Sequence, residues 1–199
     1  MMDSMLDPVP WHYGIPFEPL NNALMRTTIS DESGKINLNA LLVRSNGEST
    51  PTERQWLIDT LINFFRYRAP DSADPPEALV DAILDWIDYD DSDQTRPEGA
   101  EKDYYEGLET PYAIKNGPMD SIEELLLIKG FTTELFYGDP EEEQLPLSEY
   151  LTVHGDWNGR INVNTAPLEV LQSVFEVNGG DPAMAAEIHE QVRVEQPYT

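Results

Sequence analysis

The stretch Gly34-Lys35-Ile36-Asn37-Leu38-Asn39-Ala40 returns late in the chain as Gly159-Arg160-Ile161-Asn162-Val163-Asn164-Thr165. Both copies fit G-[KR]-I-N-[LV]-N-[AT], alternating apolar and polar residues with the period of two that marks a half-buried strand. The pattern places Ile36 with Leu38, and Ile161 with Val163, on one face and the asparagines on the other. Two such copies read as two strands of one sheet, with everything between them inserted. The expected organisation is an irregular segment over 1–25, a sheet region with short helices over 26–44 and 156–199, and an inserted helical domain over 45–155.

Upstream of the first copy, Thr27-Thr28-Ile29-Ser30-Asp31 also alternates. A polar gap containing Gly34 separates it from Lys35-Ile36-Asn37-Leu38-Asn39, which predicts a hairpin. Residues 1–25 interleave Pro8, Pro10, Pro16 and Pro19 with Trp11, Tyr13 and Phe17. Proline at that density forbids a helix, while the rings seek apolar cover.

Downstream, the inserted region carries helical periodicity. Thr50-Pro51-Thr52-Glu53 combines a capping hydroxyl, proline at the first helical position and a glutamate, ahead of Trp56, Leu57, Leu61, Phe64 and Phe65 at helical spacing. That helix should stop before Pro70. Asp74-Pro75-Pro76-Glu77 starts a second, with Leu79, Val80, Ile83, Leu84 and Ile87 as its buried stripe. Asp120-Ser121-Ile122-Glu123 caps a third that ends at Gly130. Two shorter helices are expected over Pro167–Phe175 and Asp181–Val192. The class is α+β, with helices outnumbering strands.

The chain has 199 residues, and 38 acidic side chains against 12 basic ones leave a formal charge of −26. Nucleic-acid binding rests on Lys and Arg neutralising phosphates, so this field argues against DNA or RNA as a partner. A hydrophobic fraction of 40%, with 10% aromatic residues, is that of a chain that folds. The absence of cysteine excludes disulfides, thiolate metal sites and a cysteine nucleophile. No stretch approaches the ~18 to 20 apolar residues of a membrane span, so the sequence reads as soluble.

The densest oxygen cluster runs from Asp85 through Asp88, Asp90, Asp91 and Asp93, followed by Glu101 and Asp103. Asp88, Asp90 and Asp91 fall where the second helix ends, so their carboxylates can converge. Crowded carboxylates repel, and a hard cation accepting about six to eight oxygens relieves that repulsion, which points to calcium. The spacing is not an EF-hand: counting from Asp88, position six is Asp93 instead of glycine and position twelve is Gly99 instead of glutamate. The alternative is a solvated acidic loop. Ser121-Ile122-Glu123-Glu124-Leu125-Leu126-Leu127-Ile128-Lys129-Gly130-Phe131-Thr132 resembles the first helix and turn of a helix-hairpin-helix or SAM-like module. With Gly130 alone and so few cations, packing outweighs nucleic-acid contact. His12, His154 and His189 are scattered, and no nucleophile elbow or phosphate-binding loop occurs, so no catalytic or cofactor-binding residues are assigned. A helix-hairpin-helix nucleic-acid binder and a carboxylate-dependent hydrolase remain the alternative functions.

Five ordered segments carry a family resemblance: Ile29–Asn39 (ISDESGKINLN), Ile83–Asp91 (ILDWIDYDD), Gly99–Tyr105 (GAEKDYY), Asn116–Leu125 (NGPMDSIEEL) and Gly159–Pro167 (GRINVNTAP). In this order they are similar to the GspK family, the K-type minor pseudopilins of bacterial type II secretion systems. The resemblance implies a pilin-like sheet with a large helical, SAM-like insertion, and a non-enzymatic role. It also implies assembly with I- and J-type minor pseudopilins at the pseudopilus tip, where the complex helps initiate or limit assembly. It further implies structural calcium in the helical domain, with Asp88, Asp90, Asp91, Glu101 and Asp103 as ligand candidates by position, although Lys102 stands where an acid is common. Members sit in the inner membrane with a periplasmic head. The family's N-terminal transmembrane helix is not in this sequence, which reads as a soluble fragment whose membrane link would be that helix. Further sheet strands are expected beyond Thr199, so Ile36 and Ile161 are expected to lack part of their apolar cover.

Overall fold

Apolar residues at helical spacing become packed helices in the computed structural model, which describes residues 15–20, 23–27, 30–43, 52–70, 72–89 and 95–194. Helix α1 (Gln55–Arg68) buries Leu57, Leu61, Phe64 and Phe65, and α2 (Pro76–Ile87) buries Leu79, Val80, Ile83, Leu84 and Ile87. Pro76 sits at the first turn of α2 with Pro75 as its cap, where a missing N–H costs nothing. Helix α1 ends at Arg68, before Pro70. Its start differs from the expectation. Thr52 and Glu53 are extended and pair antiparallel with Leu42–Val43, and Arg54 caps the helix without a side-chain hydrogen bond. Those two residues spend their backbone on a strand ladder and so cannot wind the first turn. Thr50 and Pro51 lie outside the described residues.

The chain divides into two units, Met1–Asp31 and Glu32–Thr199. In the first, β1 (Ile15–Leu20) pairs antiparallel with β2 (Ala23–Thr27), Ile15 opposite Thr27 and Leu20 opposite Ala23. The hairpin therefore lies within 15–27, not across 27–39, and part of the segment expected to be irregular is strand. Pro16 and Pro19 fit there because both strands of a two-stranded ribbon are edges, where a ladder N–H can be missing.

In the second unit, β3 (Ile36–Asn37) pairs in parallel with β6 (Leu151–Thr152), while β4 (Leu42–Val43) pairs with β5 (Thr52–Glu53). The Ile36 N–H donates to the Tyr150 carbonyl at 2.9 Å. The second repeat copy is not a strand, so the two copies do not share a sheet. Each copy forms the same asparagine turn instead: the Asn39 N–H donates to Asn37 Oδ1 and the Asn164 N–H to Asn162 Oδ1, both at 3.1 Å. The copies nevertheless meet, because Asn162 N–H donates to the Ser33 carbonyl at 2.8 Å. At Gly34 a Cβ would stand 2.6 Å from the Thr165 carbonyl carbon, so the first glycine of the motif permits that approach. Ile36 is 0% exposed, contrary to the expected loss of cover, and Ile161 is half-buried against the core.

Ser121 caps a run at Ile122–Leu127 with a full capping box completed by Glu124. The run is a 3-10 helix, not the α-helix expected to reach Gly130. Helices α3 (Lys102–Glu106) and α4 (Thr133–Tyr137) are too short for periodicity to have announced them. Helices α5 (Leu168–Val177) and α6 (Pro182–Val194) match the two expected near the end, and α5 packs on α1 and α6. The fold is mixed, mainly helical with few short strands. Among the described residues no helix is long and apolar enough to cross a membrane.

Candidate metal centre

Asp85 and Asp88 are three residues apart at the end of α2, a spacing that puts both on one face of the helix. Asp88 is the C-cap, with φ −73° and ψ 167°, so the chain leaves the helix there in extended geometry. It returns through Arg96–Ala100 to Glu101, which caps α3. One carboxylate oxygen from each of Asp85, Asp88 and Glu101 lies within 4.8 Å of the others. The Asp85 side chain is 0% exposed.

A guanidinium is built into the cluster. Arg96 Nη1 donates to Asp85 Oδ1 at 2.6 Å and to Asp88 Oδ2 at 2.9 Å, and Nη2 donates to Glu53 Oε1 at 3.0 Å. The Arg96 backbone N–H adds a longer bond to Asp85 Oδ2 at 3.4 Å. Burial pushes the Asp85 carboxyl above the usual carboxylate range, and the hydrogen bond and charge of Arg96 offset only part of that push. For Arg96, burial would favour the neutral form, but its bonds to Asp88, Asp85 and Glu53 outweigh burial and hold it charged. Gly99 closes over the site: a Cβ there would stand 1.9 Å from Asp85 Oδ2, so no larger residue fits without moving the carboxylate.

The surroundings hold this geometry. The Lys129 ammonium donates to the carbonyls of Glu98 and Gly99, both at 3.1 Å, and lies 5.6 Å from the centre of the Tyr104 ring. Tyr105, fully buried, stacks edge-on against Trp86 of α2 with centroids 5.3 Å apart. Trp86 Nε1 in turn donates to Glu124 Oε2 at 3.0 Å, linking α2 to the capping box of the 3-10 run.

These residues suit a hard divalent cation. The donors are all carboxylate oxygens, and the four acids Asp85, Asp88, Glu101 and Glu53 face a single guanidinium, that of Arg96, so the cluster keeps a surplus of negative charge. Of the residues expected from sequence, Asp88 and Glu101 come together. Asp103 is exposed on the first turn of α3, outside the group, and Asp90 and Asp91 lie outside the described residues. Asp85 was not a sequence candidate, although its spacing from Asp88 was a usable signal. Arg96 had no local signal, because it reaches the acids by tertiary return of the chain.

A family model described as "Type II secretion system (T2SS), protein K" matches residues 34–137, just over half of the chain. Similar proteins include type II secretion system protein K of Pseudomonas aeruginosa, 31% identical over 168 residues, covering 83% of this chain and 44% of that protein. The Klebsiella pneumoniae protein K is 29% identical over 150 residues, covering 73% of this chain and 41% of its own length. The chain thus spans less than half the length of these relatives. Among solved structures, the GspK-GspI-GspJ complex from the enterotoxigenic Escherichia coli type 2 secretion system contains a chain of the same fold. Its TM-score is 0.66 at 22% identity, over 95% of this chain and 60% of that one. With the family model matched across the α1, α2 and Asp85–Glu101 region, the chain belongs to the type II secretion system protein K family.

Proposed function

We propose that this chain is the globular part of a K-type minor pseudopilin that joins I- and J-type minor pseudopilins in the complex at the pseudopilus tip, helping to initiate or limit assembly. The observation that carries this reading is the shared fold with a chain of the GspK-GspI-GspJ complex over nearly the whole of this sequence. The role is one of protein contact and calls for no catalytic residues. The strongly acidic composition suits a head that meets proteins, not polyanions. In the whole protein the head would be periplasmic, carried on an inner-membrane helix.

On this reading 26–44 and 156–199 are the pilin-like part of the head, to which 156–194 bring helices α5 and α6 and no strand, with the SAM-like helical body 45–155 inserted between them. The hydrogen bond between Asn162 and Ser33 supports bringing the flanking segments together. Calcium is the proposed structural ion, with Asp88, Glu101 and Asp85 as ligands and Asp90 and Asp91 as further candidates. Asp103, exposed on α3, would have to turn inward to join them. A bound ion would neutralise the acids and tie the end of α2 to the start of α3.

Mixing the chain with purified I- and J-type globular domains tests the proposal. Native mass spectrometry should find a ternary species with one copy of each. Absence of any complex at micromolar concentrations would overturn it.

A further inference from the structure

The cation nearest Asp85 and Asp88 comes from the chain itself. Arg96, with 20% of its side chain exposed, takes Oδ1 of one carboxylate and Oδ2 of the other, and its second nitrogen rests on Glu53. Asp85 and Asp88 are almost completely enclosed, while Glu53 stands at the surface with 44% of its side chain exposed. The guanidinium therefore spans an inner pair of acids and an outer one. A divalent ion on the inner acids would face this positive charge at short range in a site largely shielded from water, where Coulomb repulsion is weakly damped. Two cations on one carboxylate cluster compete.

We propose that Arg96 is a built-in stand-in for the divalent cation. It holds the acids together when no ion is bound, opposes the ion when one arrives, and keeps a seat on Glu53 when the inner acids are taken. This rests on the calcium reading above and adds the residue that sets the site's affinity. Removing the guanidinium charge should tighten calcium binding at least tenfold, the gain Coulomb's law gives for a divalent and a single charge about 6 Å apart even at the dielectric of water. The same change should lower the melting temperature of the calcium-free protein, because the buried acids lose their counter-ion.

The test is isothermal titration with calcium chloride, with melting curves in calcium and in chelator, on the unchanged chain and on Arg96→Met, Arg96→Gln, Arg96→Lys and Glu53→Gln. Both neutral variants should bind calcium at least tenfold more tightly and melt lower in chelator. Arg96→Lys, which keeps the charge but has one nitrogen where Arg96 uses two, should tighten calcium binding less than either neutral variant. Glu53→Gln removes the outer seat and should weaken calcium binding, which keeps the test decisive if the neutral Arg96 variants fail to fold. If the unchanged chain binds calcium while the folded neutral variants bind it equally or more weakly, the stand-in role is overturned and the calcium reading stands. If Glu53→Gln leaves affinity unchanged or raises it, the outer seat is overturned. If no folded variant binds calcium, the calcium reading falls and this inference with it.

Discussion

Replacing Asn39 by leucine, which has nearly the same shape, separates a buried polar clamp from the strand that alternation suggests. Asn39 is 4% exposed and holds three segments together. Its Nδ2 donates to the Met119 carbonyl at 2.9 Å and to the Val153 carbonyl at 3.0 Å, and its Oδ1 accepts from the Met119 N–H at 2.8 Å. Met119 and Val153 are themselves buried, so Asn39→Leu strands one donor and two acceptors away from water. At about 1 kcal/mol for each lost bond, with the larger penalty of stranded groups partly offset by the apolar side chain, the expected loss is about 3 kcal/mol. For a chain of this size that lowers the melting temperature by about 6 to 12 °C. The repeat supplies the control. Asn164 holds the equivalent position but is only half-buried, and its 3.2 Å bond to Asn162 stays within its own turn, so Asn164→Leu should cost less than Asn39→Leu. Urea unfolding followed by tryptophan fluorescence reads both, the shift in midpoint giving the loss if the slope is unchanged. Equal losses at the two asparagines would refute the reasoning.

Gly99→Ala drives a methyl into Asp85 Oδ2 and should cost about 1 to 3 kcal/mol and weaken calcium binding; unchanged urea midpoint and calcium affinity would count against the enclosed site. If calcium binds, a concentration about 100 times its dissociation constant should stabilise the fold by about 2.7 kcal/mol, seen as a rise in melting temperature that chelator reverses. Glu124 accepts from Lys115 Nζ at 2.6 Å, Asp120 N–H at 2.7 Å and Trp86 Nε1 at 3.0 Å. Burial alone would raise its pKa, but these donors hold it below the ordinary 4.5. A lowered native value means its contribution is present above pH 4.5 and is lost as pH falls through the native value. Glu124→Gln should therefore flatten part of the acid limb of stability against pH, and an unchanged limb would argue that other carboxylates carry it.

The repeat shows how a period can mislead. Alternation of apolar and polar residues is what a strand requires, but an asparagine that accepts from the N–H two residues on satisfies the same pattern within a turn. Asn37 and Asn39 are buried beside Ile36 and Leu38, so the first copy of the motif has no solvent face, which alternation alone would not disclose. Thr50–Glu53 is a similar case. Its capping residues compete with a ladder whose partner, Leu42–Val43, lies about ten residues upstream, and the ladder takes Thr52 and Glu53.

By itself the sequence determined α1 and α2 through their apolar stripes, the start of α2 within Asp74–Glu77, a cap within Asp120–Glu123, the acidic run near Asp88 and the order of motifs that marks the family. These are local matters, since helix periodicity, caps and charge density are written within a few residues of one another. Only the tertiary structure decided that β3 pairs with β6, that Asn39 clamps Met119 to Val153, that Gly99 presses on Asp85, and that Arg96 sits among the acids. Each depends on which distant segments are brought within a few ångströms of one another, and burial of the whole core sets that choice, not any one window of the chain.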